Sequence, residues 1–249
     1  MDFVESPNLP RGQVRLCVMS GQYPELCRSV EALGVEVVRT GPCPGLPEPV
    51  ACHGDLQLCH LGGADLLLEP RAPGLMADLT RRSFRCRGVS RPAGSVYPED
   101  VRLGMLLLAP FCFGEMGAAA AEAVDFLRRR DWELVHSRQG YARCSVAVAG
   151  EGGCITADPT LYGLLRERGV DCLRIAPGDI RLPGYDTGFL GGCCGLLAPD
   201  RMAFTGSLAR YREGERVADW LRKRGIAPVF LSDGPLIDIG GILPLMEER

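Results

Sequence analysis

The chain has no apolar run of the ~18 residues that a membrane span needs. Its longest apolar stretch, Met105–Ala109 and Phe111–Phe113, is interrupted by Pro110. It has no basic surplus either. The net charge is -3 and the isoelectric point about 5.7, so the electrostatic footprint of a nucleic-acid-binding protein is missing. Short arginine clusters such as Arg128–Arg130 and Arg222–Arg224 fall where helices are expected to end, positions that favour cations. The N-terminus carries acids and prolines where a signal peptide needs a basic and then an apolar stretch, so a cytoplasmic address is expected. No Cys-x-x-Cys pair occurs among the twelve cysteines, and Gly150-Glu-Gly-Gly lacks the lysine of a phosphate loop. Disulfide scaffolds belong to small secreted chains, so most cysteines are expected to be reduced and buried as small hydrophobes, Cys17, Cys144 and Cys172 among them.

What the chain does have is a repeat. Strand, helix and strand recur as Val14–Ser20, Pro24–Gly34 and Val35–Arg39; as Gly153–Asp158, Pro159–Gly169 and Val170–Ile175; and as Arg201–Gly206, Arg216–Gly225 and Ile226–Leu231. Asp158 is a candidate N-cap with Pro159 at the first helical position, and a glycine can take the left-handed conformation that closes each helix. A fourth helix is expected over about Glu115–Arg130 and a shorter one over Gly74–Arg82. Units of this length cannot bury their own apolar faces and must share a core.

Five glycine-containing joints lead into new apolar strands, beginning at His53, Tyr97, Gln139, Gly188 and Leu236. The chain ends on a strand without its helix and begins on a strand and helix without a preceding joint. Joining the two ends completes a fifth unit and removes exposed sheet edges. With 249 residues and 46% hydrophobic content, one domain over residues 1–249 is expected. The predicted fold is α/β: five ββαβ units with pseudo-five-fold symmetry, a five-bladed α/β propeller closed by its termini.

Four segments, Cys52-His-Gly-Asp, Pro177–Gly192, Met202–Gly206 and Leu231–Leu245, resemble the pentein or guanidino-group-modifying enzyme superfamily, and in particular a bacterial branch of it. The closing Asp238-Ile-Gly-Gly segment is similar to the final-blade motif of arginine deiminases and dimethylarginine hydrolases. The resemblance implies a cysteine nucleophile that forms a covalent thiouronium, a histidine that shuttles protons, and carboxylates that hold a cationic guanidine or amidine. In that family the cysteine lies near the last glycine-rich turn. Here that turn reads Gly240-Gly241-Ile242, without one.

The residues that could fill these roles follow from position. His53 and Asp55, two apart at a strand start, are expected on one face, as acid/base and orienting partner; the alternative is an Asx turn at a loop end. Cys193 and Cys194 are the candidate nucleophiles, one joint away from the family's position, or else small packing residues. Asp100, Asp186 and Asp238, with Asp55, place an acid near four of the five joints. Converging, they would make an acidic axial cavity for a small cationic molecule; turn capping is the alternative. Cys52, His53, Asp55, Cys59 and His60 superficially suggest zinc, but strand alternation separates them, and no metal or cofactor is expected. The rival to an enzyme is a catalytically silent pentein that binds a ligand or protein.

Overall fold

The computed structural model describes residues 1–248. The first unit contains β1 (Asp2–Phe3), β2 (Gln13–Ser20), α1 (Pro24–Glu31) and β3 (Glu36–Thr40). The second contains α2 (Gly54–Gln57), β4 (Leu58–Gly62), β5 (Asp65–Leu68), α3 (Pro73–Arg81) and β6 (Arg85–Gly88). The third contains β7 (Leu106–Leu108), β8 (Phe111–Gly114), α4 (Ala121–Arg128) and β9 (Glu133–His136). The fourth runs α5 (Ala142–Ser145), β10 (Val146–Val148), β11 (Gly153–Thr156), α6 (Pro159–Glu167) and β12 (Asp171–Arg174). The fifth holds β13 (Cys194–Ala198), β14 (Arg201–Phe204), α7 (Gly214–Lys223) and β15 (Ala227–Phe230).

Each of these units forms its own small sheet, with an antiparallel hairpin followed by a parallel strand that returns through the helix. The first unit borrows its leading strand. The C-terminal β16 (Leu243–Glu248) inserts between β1 and β2, antiparallel to both. The two ends of the chain therefore share one sheet.

The helices stop at left-handed residues. Gly34, Gly169 and Gly225 have φ of 81°, 77° and 72°, the conformation only glycine adopts cheaply. After α3 and α4 the same place is taken by Ser83 (φ 68°) and Asp131 (φ 57°). Asp158 caps α6 as expected, accepting from Leu161 N at 2.8 Å. Helix α4 starts later than its composition predicts. Ala120 is extended (φ -58°, ψ 127°) and its N–H donates to Arg102 O at 2.9 Å, so tertiary pairing overrides helix propensity over residues 115–120.

The returning strands β6, β9, β12 and β15 are largely exposed, whereas the hairpin strands of the second to fifth units are largely buried on both faces, which is why they read as continuous apolar runs. Alternation divides them between neighbours: Leu106 and Leu108 pack with Val146 and Val148, whereas Met105 and Leu107 pack with Cys59, Leu61 and Leu67. Five such apolar clusters occur, each joining two sheets. Four join units consecutive in the chain, and one joins the last unit to the first through Leu197 and Ala203 against Cys17 and Met19.

Each leading strand is entered through a tight turn: α2, the 3-10 turn Glu99–Val101, α5, the 3-10 turn Gly191–Cys193 and the Gly240-Gly241 turn. His53 and Asp55 are thus not strand residues, and strand alternation does not apply to them. His53 immediately precedes α2 with extended backbone, and Asp55 lies in its first turn. Cys144 likewise sits in a helical turn rather than in the strand that its apolar surroundings predict.

Candidate active site

The joints bring one position of the repeat together. His53, Tyr141, Phe189 and Asp238 each stand five residues before the leading strand of their unit, β4, β10, β13 and β16. All four line a single open cavity of about 440 Å³, with Cys144 beside them and Val50, Leu182, Tyr185 and Thr187 completing the wall. The aromatic side is continuous: Tyr141 packs against Tyr97 and Phe189 at ring separations of 6.0 and 6.3 Å.

Cys144 Sγ donates to Asp55 Oδ2 at 2.9 Å and lies 3.9 Å from Asp238 Oδ1. His53 Nδ1 is 3.8 Å from the same Asp238 oxygen. Burial, and then the charges of Asp238 and Asp55, push the Cys144 thiol well above the usual cysteine value, with Arg143 opposing. Burial also raises the Asp55 carboxyl, against the pull of His53 and of the Cys144 bond. The contact is that of a thiol donating to a carboxyl oxygen.

Backbone holds Asp238. Its Oδ2 accepts from Phe189 N at 2.8 Å and its Oδ1 from Gly240 N at 3.1 Å. The closing glycines are sterically required. Gly240 has φ 78°, and a side chain there would start 2.6 Å from His53 Cβ and 2.8 Å from Asp55 Oδ1.

Asp100 is buried one step behind the wall, where it accepts the Tyr141 hydroxyl. Three buried carboxylates, Asp55, Asp100 and Asp238, thus surround the cavity. Two arginines are buried as well: Arg143, which donates to Gly191 O at 3.3 Å, and Arg102, which donates to Pro92 O at 3.0 Å. This excess of buried negative charge favours a cationic guest. On the far side of Asp55 a second cavity, about 360 Å³, is lined by Asp55, Arg143 and His60 and by Pro7 and Asn8 of the N-terminal segment. Asp55 Oδ1, Arg143 Nε and His60 Nδ1 have no hydrogen-bond partner among the described residues.

Not every residue singled out in the sequence reaches this place. Asp186 is exposed in an outer groove with Arg181 and Arg210 and does not line the cavity. Cys193 and Cys194 are buried in the apolar cluster between the fourth and fifth units, their sulfurs donating to Phe189 O at 3.2 Å and Leu190 O at 3.1 Å. Burial raises the first thiol well above the usual cysteine value and the second to about 12. Cys59 packs in another apolar cluster, and His60 bonds Gly63 O at 2.9 Å, so the zinc-like sequence cluster is dispersed. Among the described residues, three potential ligand atoms fall within 4.8 Å of one another only at His53, Cys144 and Asp238. There the thiol is already committed to Asp55.

The residues that sequence reasoning missed are Cys144, Tyr141, Phe189 and Arg143. The signal was present. Counted back from the strand start, His53, Tyr141, Phe189 and Asp238 share one offset, and Asp55 shares the next with Arg143, three residues before β4 and β10. Counting from the glycine pairs hides this.

No curated protein matches the chain by sequence. Solved structures do match its shape. Over 100% of this chain and 98% of the other, it is similar to the inosamine-phosphate amidinotransferase of Streptomyces griseus, with a TM-score of 0.64 and 13% identity. A DDAH from Pseudomonas aeruginosa, solved as a cysteine-to-serine mutant with citrulline, matches over 90% of this chain and 96% of its own, with a TM-score of 0.57 and 8% identity. An amidinotransferase of the saxitoxin biosynthetic pathway from Microseira wollei matches over 92% and 91%, with a TM-score of 0.55 and 12% identity. These are guanidino-group-modifying enzymes of the pentein fold, and identities this low establish the fold alone. Residues 18–243 match the profile of the Family of unknown function (DUF6873), and the chain is a member of that family, built on the pentein fold.

Proposed function

We propose that the chain acts on a small guanidine or amidine, as a hydrolase or an amidinotransferase, with Cys144 as the nucleophile. The observation that carries this reading is the Cys144 Sγ–Asp55 Oδ2 contact of 2.9 Å beside a cavity that also holds His53 and Asp238. Asp238 takes the N–H groups of the cation. The cation in turn favours the thiolate, because a nearby opposite charge lowers the pKa that burial has raised.

The thiol proton passes to Asp55, and sulfur attacks the central carbon. The C–N bond to the leaving amine breaks as His53 donates a proton to the nitrogen. The amidine remains on Cys144 as a thiouronium. In a hydrolase, water gives a proton to His53 while its oxygen attacks the carbon. The S–C bond then breaks, sulfur recovers its proton from Asp55, and a urea leaves, its excess proton passing through solvent to the released amine. In a transferase an acceptor amine replaces the water and departs as a new guanidine.

The five units form, on this reading, one domain in a closed ring around the cavity. Five apolar clusters, one of them joining last unit to first, support that arrangement. All twelve cysteines are free, which supports a reducing, cytoplasmic location.

A silent, ligand-binding pentein is the second reading, favoured by the cysteine-free closing turn and by the protonated Cys144 thiol. Alkylation with 2-chloroacetamidine separates the two. A catalytic Cys144 is labelled rapidly and singly, Cys144→Ser abolishes labelling, and Cys193→Ser and Cys194→Ser preserve it. Labelling of Cys144 no faster than that of a buried thiol elsewhere in the chain would sink the catalytic reading.

A further inference from the structure

We infer that the guanidine or amidine substrate carries an uncharged, largely apolar tail, and that this tail lies in a third cavity beside the Cys144 site. The inference rests on the amidine reading above and goes beyond it to substrate class. The third cavity, about 660 Å³, shares Thr187 and Phe189 as a common wall with the cavity that holds His53 and Cys144. Ala157, Ile175, Ile180 and Leu190 give it an apolar lining. Among the described residues, no lysine or arginine lines either cavity. A substrate ending in a carboxylate would therefore bury that charge without a counterion, a costly arrangement.

The charge that is present also disfavours an anionic tail. Asp158, on the rim, would repel an anionic tail, and its Oδ1 is already engaged with Leu161 N at 2.8 Å as the cap of α6. A further observation concerns Ser145, which also lines this cavity. It is 2% exposed, and its hydroxyl has no hydrogen-bond partner among the described residues. Buried hydroxyls are rarely left so. One hydrogen-bonding group on an otherwise apolar tail satisfies it. Arg181 and Arg210, which could hold a carboxylate, lie instead in the open groove outside Leu182 and Tyr185. There solvent screens them, so they hold an anion weakly.

The test uses the intact chain. Cys144 is alkylated with 2-chloroacetamidine, a probe without a tail: the S–C bond forms as C–Cl breaks, and the thiol proton leaves through Asp55. The rate is followed against rising n-hexylguanidine, agmatine and arginine. The uncharged tail is expected to protect at a concentration at least tenfold below that of either charged one. Ala157→Phe and Ala176→Trp, which fill the third cavity, are expected to raise the n-hexylguanidine requirement about fivefold or more, with unprotected labelling unchanged as the check on folding. Equal or better protection by arginine, lost on Arg181→Ala, overturns the inference in favour of the outer groove. Equal or better protection by agmatine overturns it too, as does indifference of n-hexylguanidine protection to both cavity-filling variants. Any of these outcomes with Cys144 still labelled leaves the amidine reading standing. Failure of 2-chloroacetamidine to label Cys144 at all removes both.

Discussion

Gly192 has no room for a side chain because Asp238 fills the space: a Cβ there would lie 1.9 Å from Asp238 Oδ1. Gly188 is closed in the same way, its would-be Cβ 2.5 Å from Asp238 Cβ. The glycine-rich stretch is thus a mould for one buried carboxylate rather than a phosphate loop. Gly192→Ala is expected to displace Asp238 and to lower stability by about 1–3 kcal/mol, the usual cost of overpacking. Denaturant unfolding measures the stability, and loss of protection by a guanidine measures the displacement. Wild-type stability with undiminished protection would show that Asp238 does not depend on this mould.

The raised Cys144 thiol predicts a dependence on reagent charge. A neutral alkylating agent such as iodoacetamide senses only the thiolate fraction, so its rate with Cys144 should climb from pH 6 to 9 without levelling off. A cationic amidine lowers the thiol pKa on binding and should react readily near pH 7. Asp238→Asn should slow the cationic reagent roughly tenfold, as for one pKa unit, and speed the neutral one, because it removes a charge that raises the thiol. Equal slowing of both reagents would remove Asp238 from cation binding.

His60 predicts a loss of stability in acid. Burial lowers it to about 4 from an ordinary 6.5, so the unfolded chain takes up this proton first. Stability is complete above pH 6.5 and falls as the pH drops towards 4, by about 1.4 kcal/mol per unit and up to about 3 kcal/mol in all. Urea unfolding at pH 7 and pH 4.5 should differ by less in His60→Gln than in the wild type. An unchanged difference would place the acid sensitivity in the carboxylates.

The helix ends predict a pair of opposite effects. Ser83 adopts φ 68° and Gly169 φ 77° at equivalent places after α3 and α6. Ser83→Gly is expected to stabilise by about 0.5–1 kcal/mol through relief of left-handed strain, and Gly169→Ala to destabilise by about 1–2 kcal/mol. Thermal unfolding of the two variants checks both signs.

The same geometry explains what could be read from the sequence. Three units were visible because proline opens the helix or glycine closes it. The other two close on Ser83 and Asp131 instead of glycine, although α3 opens on Pro73 and the left-handed residue falls ten positions after the first helical residue in α1, α3, α4 and α6 alike. His53, Asp55 and Asp238 were legible because buried-type charges beside a turn are conspicuous in an apolar segment. Asp186 carried the same signal, yet it is exposed, because the loop Arg181–Asp186 runs over the surface.

Cys144 was not legible. In Arg143-Cys-Ser-Val-Ala-Val it reads as one more small hydrophobe entering a strand, as Cys154 and Cys172 do, and those two are core. What separates Cys144 from them is Asp55, 89 residues away and 2.9 Å distant. Local chemistry, the alternation of strands and the capping of helices, belongs to the sequence and determined five repeated units. Which cysteine meets which carboxylate depends on joints far apart in the chain meeting at one cavity, a matter of long-range packing among apolar faces that no single segment encodes. The repeat was therefore written in the chain, whereas the placement of Cys144 beside Asp55, and of Cys193 and Cys194 in an apolar cluster, was decided only by the tertiary structure.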